Sequence, residues 1–261
     1  MTSESETSSE ITLRTFSVPS PKNPILICGL PGSGYVGKLG VDHLISVFNA
    51  DKVVEYYSAS FPPHVLVKDD GQARPIRSEL YHARTGAAND LLLFTADAQP
   101  TTSRGEYELS DQVLKLARNY GVKTVYSLAA YITGGFAKEP RVFGTSTSPT
   151  MLAKLAGEGV QVMKEGGITG MNGIMIGLAG IYDMDGICLL GETSGYLIDA
   201  GAARAVLEAL SRLLGIKIEL SMLTEKAEET RQVISQIQRM VEQQGEPTQE
   251  RKPDTRPGYI G

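Results

Sequence analysis

From Pro24 onward, apolar runs of strand length alternate with longer amphipathic stretches, and this rhythm constrains the chain more than any other feature. Such alternation is the pattern of an α/β domain. It predicts strands over 24–28, 52–58, 64–67, 75–81, 90–95, 124–130, 160–163 and 186–190. Helices are expected over 37–49, 106–120, 149–155, 172–182 and 199–214. Leu91-Leu92-Leu93-Phe94 and Ile187-Cys188-Leu189-Leu190 are apolar at every position, so both faces of their sheet need covering by helices. Asp199 suits the N-cap of the last of these helices, and Gly121 and Gly215 suit left-handed caps after Tyr120 and Leu214. The expected architecture is a three-layer α/β/α sandwich over 21–217, with hairpin-like elements around 60–85 and no internal repeat. Residues 1–20 are expected to form a disordered N-terminus, since Met1–Glu10 is almost entirely Ser, Thr and Glu.

Composition removes several classes of function. A chain of 261 residues buries roughly 70–75% of its surface on folding and needs no disulfide framework. Its two cysteines, Cys28 and Cys188, lie inside apolar runs, which points to a reduced, cytoplasmic setting. No apolar stretch approaches the roughly 20 residues of a membrane span, and the first residues lack the basic and apolar parts of a signal peptide. A net charge of -5 and the absence of tryptophan argue against a nucleic-acid partner.

The C-terminal stretch follows a different rule. Leu220, Leu223, Ala227, Thr230, Ile234, Ile237 and Val241 are spaced alternately three and four apart, a heptad seam on a helix expected over 218–244. The seam can pack on its own domain or meet a second chain; sequence alone leaves both open. Residues 245–261 contain three prolines and no core-forming side chains before Tyr259-Ile260, and read as a flexible tail. Its tip, Tyr259, Ile260 and Gly261 with the free carboxylate, has the chemistry of a portable peptide ligand.

Two glycine-rich turns are the only motifs suggestive of a small-molecule site. Gly32, Gly34 and Gly37 match a dinucleotide fingerprint between a strand and a helix, with Glu55 near the place of a ribose-binding acid. A second cluster over 166–173, containing Thr169 and Gly170, again leads into a helix and could receive an anion. Both turns also make sense as bends that let a helix pack closely. Asp97 and Glu192 end apolar strands, where a general acid or base can sit, but carboxylates there are commonly caps or turn formers. His43, His64 and His82 are far apart, and no HExxH, CxxC, Gly-x-Ser-x-Gly or Walker A pattern occurs. No metal site, cofactor or catalytic residue is therefore expected, and a nucleotide- or phosphate-binding α/β enzyme is the alternative to a non-catalytic protein.

Taken in order, 29–40 after the first strand, Phe61-Pro62, 91–99, 130–135, the run 166–173 and Glu192 before an Ala/Leu-rich helix make a pattern. It resembles the proteasome assembly chaperone family, specifically its archaeal members, over roughly 24–215. The resemblance implies an α/β/α fold like that of nucleoside phosphorylases, without established catalysis. It also implies a homo-oligomer that binds α subunits of the 20S proteasome through C-terminal segments, or a partner chaperone of the same family. The family's tail pattern has tyrosine second from the end; here Gly258-Tyr259-Ile260-Gly261 places it third.

Overall fold

The computed structural model describes residues 11–243, with side chains as far as Gln232. Its frame is one nine-stranded mixed sheet in the order β1-β3-β6-β7-β2-β8-β11-β9-β10. The centre is parallel: β7 (Leu91–Ala96), β2 (Ile25–Gly29), β8 (Thr124–Ile132) and β11 (Asp185–Thr193). β3 (Asp51–Ser58) and β6 (Ser78–Ala83) extend it in antiparallel sense on one side, with β1 (Ile11–Thr15) at the edge. On the other side β9 (Val142–Ser146) runs antiparallel to β11 and carries the short β10 (Gln161–Val162). A separate hairpin of β4 (Val65–Val67) and β5 (Ala73–Pro75) fulfils the expectation around 60–85.

Helices cover both faces, as the all-apolar strands require. On one face α1 (Val36–Val47), α3 (Pro149–Gly157), α5 (Ala200–Leu214) and α6 (Ser221–Gln243) contribute to a core that includes Leu44, Leu155, Val206, Leu210 and Leu223. On the other, α2 (Ser103–Asn119) and α4 (Gly170–Ile181) bury Leu109, Val113, Met171 and Met175. This is the three-layer sandwich read from sequence. The local signals work as expected: the Asp199 carboxylate accepts the Ala202 N–H at 2.9 Å, and Gly215 ends α5 at φ +65°. Among the described residues no helix is long and apolar enough to cross a membrane.

Two strands differ from the sequence reading. Ile11–Thr15 is not disordered but pairs with β3, from Ile11 opposite Ser58 to Thr15 opposite Val54. Only Ile11 of this strand is buried, so its order comes from backbone hydrogen bonds that leave no trace in the apolar pattern. Residues 16–20 of the same expected segment are also placed, with the Phe16 N–H donating to the Val53 carbonyl at 2.8 Å, and residues 1–10 lie outside the described residues. β9 was likewise silent, because Val-Phe-Gly-Thr-Ser has a single apolar pair and a central glycine. That glycine is required: a Cβ on Gly144 would come within 2.7 Å of Val160.

Candidate functional site

At the carboxyl ends of the parallel strands, β2 leads into α1 on one face while β7 leads into α2 on the other. Where neighbouring strands send their connections to opposite faces, a crevice opens between them, the usual ligand position of an α/β sheet. Here it holds a cavity of about 230 Å³. The turn after β2 supplies Leu30, Gly32 and Ser33, the segment after β7 supplies Gln99, and α2 supplies Glu106. The floor is Ala129 and Ala130 of β8, and the far wall is Thr169, Gly170 and Asn172 at the start of α4. The structure thus brings together the two glycine turns singled out in the sequence.

The fingerprint glycines do different work. A Cβ on Gly37 would lie 2.0 Å from the Leu128 carbonyl oxygen, and one on Gly29 would lie 2.1 Å from the Gly37 carbonyl oxygen. These two let α1 press against β2 and β8. Gly34 supplies a left-handed turn at φ +62°. Gly32 is extended, and a Cβ there would meet nothing within 4 Å. Only Gly32 faces open space for reasons that packing does not explain.

Gln99 joins the two turns. Its Nε2 donates to the Pro31 carbonyl at 2.7 Å, and its Oε1 accepts the Met171 N–H at 3.1 Å. The Glu106 carboxyl, in the first turn of α2, has no hydrogen-bond or ion-pair partner among the described residues, and burial pushes its pKa up. Sequence reasoning missed both as site residues, because neither belongs to a motif. Gln99 was marked only by its place just beyond an apolar strand, and Glu106 only as an acid near a helix start.

The other carboxylates weighed as acids or bases have structural partners. Arg74 holds Asp97 through two bonds, at 2.5 and 2.8 Å, and the Arg77 N–H adds a third at 3.1 Å. Burial works against the Asp97 charge, but the Arg74 hydrogen bonds and the Arg77 N–H outweigh it and hold its pKa below the usual range. Arg141 grips Glu192 through Nε and Nη2 at 2.8 and 2.7 Å, and those bonds lower its pKa. Glu55 is 1% exposed and paired with Arg77 and Lys52 at 2.8 Å each. It cannot serve the turn after β2 as a ribose acid, because β6 and β7 stand between its strand and β2. Among the described residues no group of three or more His, Cys, Asp or Glu is placed to hold a metal ion.

A second feature occupies the same end of the sheet. Tyr35, Ile132, Phe136, Tyr196, Leu197 and Ile198 are all exposed, Tyr196 by 82% and Ile198 by 58%. Backbone bonds draw their loops together: Asp199 N–H donates to the Gly34 carbonyl, and Thr133 N–H donates to the Thr193 carbonyl. Loops 132–137 and 194–198 contain no charged residue. An exposed, charge-free apolar patch of this kind marks an interaction surface. Its signal in the sequence was the run Tyr196-Leu197-Ile198 between two elements.

The C-terminal helix begins on its own domain. Leu223 and Ala227 are buried with α5, Leu220 packs beside them, and Arg231 donates to the Lys138 carbonyl at 2.6 Å. The first half of the heptad seam is therefore a core contact. The side chains of Ile234, Ile237 and Val241 lie outside the described residues, as do Tyr259, Ile260 and Gly261.

Known proteins share this architecture over nearly the whole chain. The crystal structure of Pyrococcus furiosus PbaB, an archaeal proteasome activator, is 33% identical, with a TM-score of 0.82, covering 88% of this chain and 99% of that one. Pyrococcus furiosus PbaA, an archaeal homologue of proteasome-assembly chaperone, is 27% identical, with a TM-score of 0.73, covering 90% and 94%. An uncharacterized protein of Methanocaldococcus jannaschii is 35% identical over 255 residues, 96% of this chain and 97% of its own length. The PAC2 family model matches residues 26–238, and the chain belongs to the PAC2 family.

Proposed function

We propose that this protein is a non-catalytic, homo-oligomeric scaffold of the proteasome-assembly-chaperone type that binds the α-ring of the 20S proteasome. A partner chaperone of the same family is the other macromolecule it would engage. The observation that carries the reading is the likeness to the proteasome activator PbaB, which spans 99% of that protein at a TM-score of 0.82. The family match runs on to residue 238, so it takes in most of α6 as well as the core. In this reading α6 leads the tail 245–261 away from the core, and Tyr259, Ile260 and Gly261 touch the proteasome. A single tail that must be ordered on docking would bind weakly, and several tails on one oligomer would restore affinity.

Copies of the chain meet, in this reading, through the patch around Tyr196 and Ile198. Three aromatic and three aliphatic side chains, from 39% to 82% exposed, present on the order of 600 Å². That approaches the roughly 800 Å² per partner of a standard interface. The ion-paired state of Asp97 and Glu192 supports the non-catalytic half of the reading, since neither carboxylate is free to move a proton.

The test is mass-resolved size exclusion of the full chain, alone and with purified 20S proteasome or isolated α-ring. A multimer that co-elutes with the α-ring, and loses it on removal of 245–261, is the expected result. Tyr196→Glu with Ile198→Glu is expected to give a folded monomer with weakened α-ring binding. A wild-type monomer, or binding indifferent to the truncation, overturns the corresponding half of the reading.

A further inference from the structure

The cavity between the glycine turns has a feature that the scaffold reading does not use. One wall carries a carboxyl group, Glu106, with no partner among the described residues, whereas Asp97 and Glu192 are gripped by arginines. Partial burial raises the Glu106 pKa, and no cationic side chain pairs with this carboxyl among the described residues. None of the residues lining the cavity is a lysine or arginine. A phosphate placed there would face Glu106 without a compensating cation, which speaks against the nucleotide or phosphate ligand that the glycine fingerprint suggests. The remaining surface is mixed: Leu30, Ala129 and Ala130 are apolar, and the Ser33 hydroxyl has no partner among the described residues.

Two further facts narrow the ligand. Glu106 and the Thr169-Gly170 wall stand at the starts of α2 and α4, whose partial positive ends make the cavity dipolar rather than uniformly acidic. A ligand with both an N–H donor and a carbonyl acceptor therefore fits better than a bare cation. A cavity of 150 Å³ holds benzene, so 230 Å³ takes a molecule of roughly ten heavy atoms.

We propose that this cavity binds a small aliphatic amine that also carries a carbonyl group, an amino-acid amide in class, with its ammonium on Glu106 and its carbonyl toward Ser33. The apolar part of the ligand lies on Leu30, Ala129 and Ala130. Binding here is separate from the α-ring contact and needs neither the tail nor the oligomer.

The experiment is thermal unfolding and calorimetric titration of the full chain with L-valinamide. Controls are 3-methylbutanamide, which lacks the amine, together with inorganic phosphate and AMP. L-valinamide is expected to raise the unfolding midpoint and 3-methylbutanamide to leave it unchanged. Glu106→Gln, which keeps the size and shape of the side chain, is expected to weaken L-valinamide at least tenfold with the fold intact. Gly32→Val places a side chain in open space at the cavity wall and is expected to block binding with the fold intact. No shift with L-valinamide, a shift that survives Glu106→Gln, or a shift with phosphate or AMP instead overturns the proposal.

Discussion

The two glycine-rich turns face each other across one cavity, yet their glycines are there for different reasons. In the turn after β2, Gly29 and Gly37 are fixed by backbone approach, with added Cβ atoms about 2 Å from carbonyl oxygens. In the turn before α4, Gly167 meets nothing within 4 Å, Gly170 bends the chain at φ +68° beside Gln99, and only Gly173 is pressed against backbone, at Ile168. The first turn matches a dinucleotide fingerprint letter for letter, yet of its three glycines Gly37 is set by helix-to-sheet packing, Gly34 by a left-handed turn, and Gly32 by neither. The second matches no fingerprint, and supplies the cavity wall opposite Ser33. A glycine motif reports where backbone must come close; whether the neighbour is a ligand or the protein's own strand is decided by the fold.

The sharpest way to break this comparison is Gly37→Ala. If packing is the reason for that glycine, the new Cβ must displace α1 from the Leu128 carbonyl. A loss of about 3 kcal/mol or more in urea unfolding is expected. A stable Gly37→Ala variant would return the fingerprint to its ligand role. Next in size is Gln99→Ala, which removes the link between the turns. The Pro31 carbonyl and the Met171 N–H both lose a partner, and about 2 kcal/mol is expected. Faster amide exchange confined to the segments around Pro31 and Met171 would distinguish loosening of the cavity from a general loss of packing.

The legible part of the fold was its centre. Leu91–Phe94 and Ile187–Leu190 announced buried parallel strands because every side chain is apolar, and Asp199 and Gly215 announced the ends of α5. What stayed hidden was whatever depends on partners distant in sequence. β1 is held by the backbone of β3, 40 or so residues away, and four of its five side chains are exposed. Glu55 looked like a ribose acid from its spacing, and only the strand order, with β6 and β7 interposed, removes it from the turn. Gln99 and Glu106 could not be found from sequence, since the first acts by spanning two loops and the second by having nothing to pair with. The heptad seam was readable as a helix, but not that Leu223 and Ala227 would spend its first turns on the domain core.

Gly34→Ala is expected to cost less than either change above. Its φ of +62° puts alanine in the left-handed region, at about 1–2 kcal/mol. The added Cβ also comes within 2.9 Å of the Thr193 hydroxyl, a side chain that holds Asp199. Because it perturbs the fold, a bulky residue at this position is a poor reporter on ligand binding, although the fingerprint would select it. A midpoint unchanged from wild type would mean the turn relaxes freely, and that the positive φ is not enforced by its surroundings.

The smallest effect carries the finest discrimination. Gly32→Ala adds a methyl group at an extended position, φ −168°, with no atom within 4 Å. No described residue opposes it, and the alanine chain has fewer unfolded conformations to lose, so a gain of about 0.5 kcal/mol is expected. Two glycines five residues apart in one motif thus carry opposite signs, destabilising at Gly37 and stabilising at Gly32. Among the described residues no side chain packs on Gly32, so an added methyl group there points toward whatever enters the cavity. If Gly32→Ala instead destabilises the protein, the space beside Gly32 is closed by a contact within the chain, and the asymmetry between the two ends of the motif disappears.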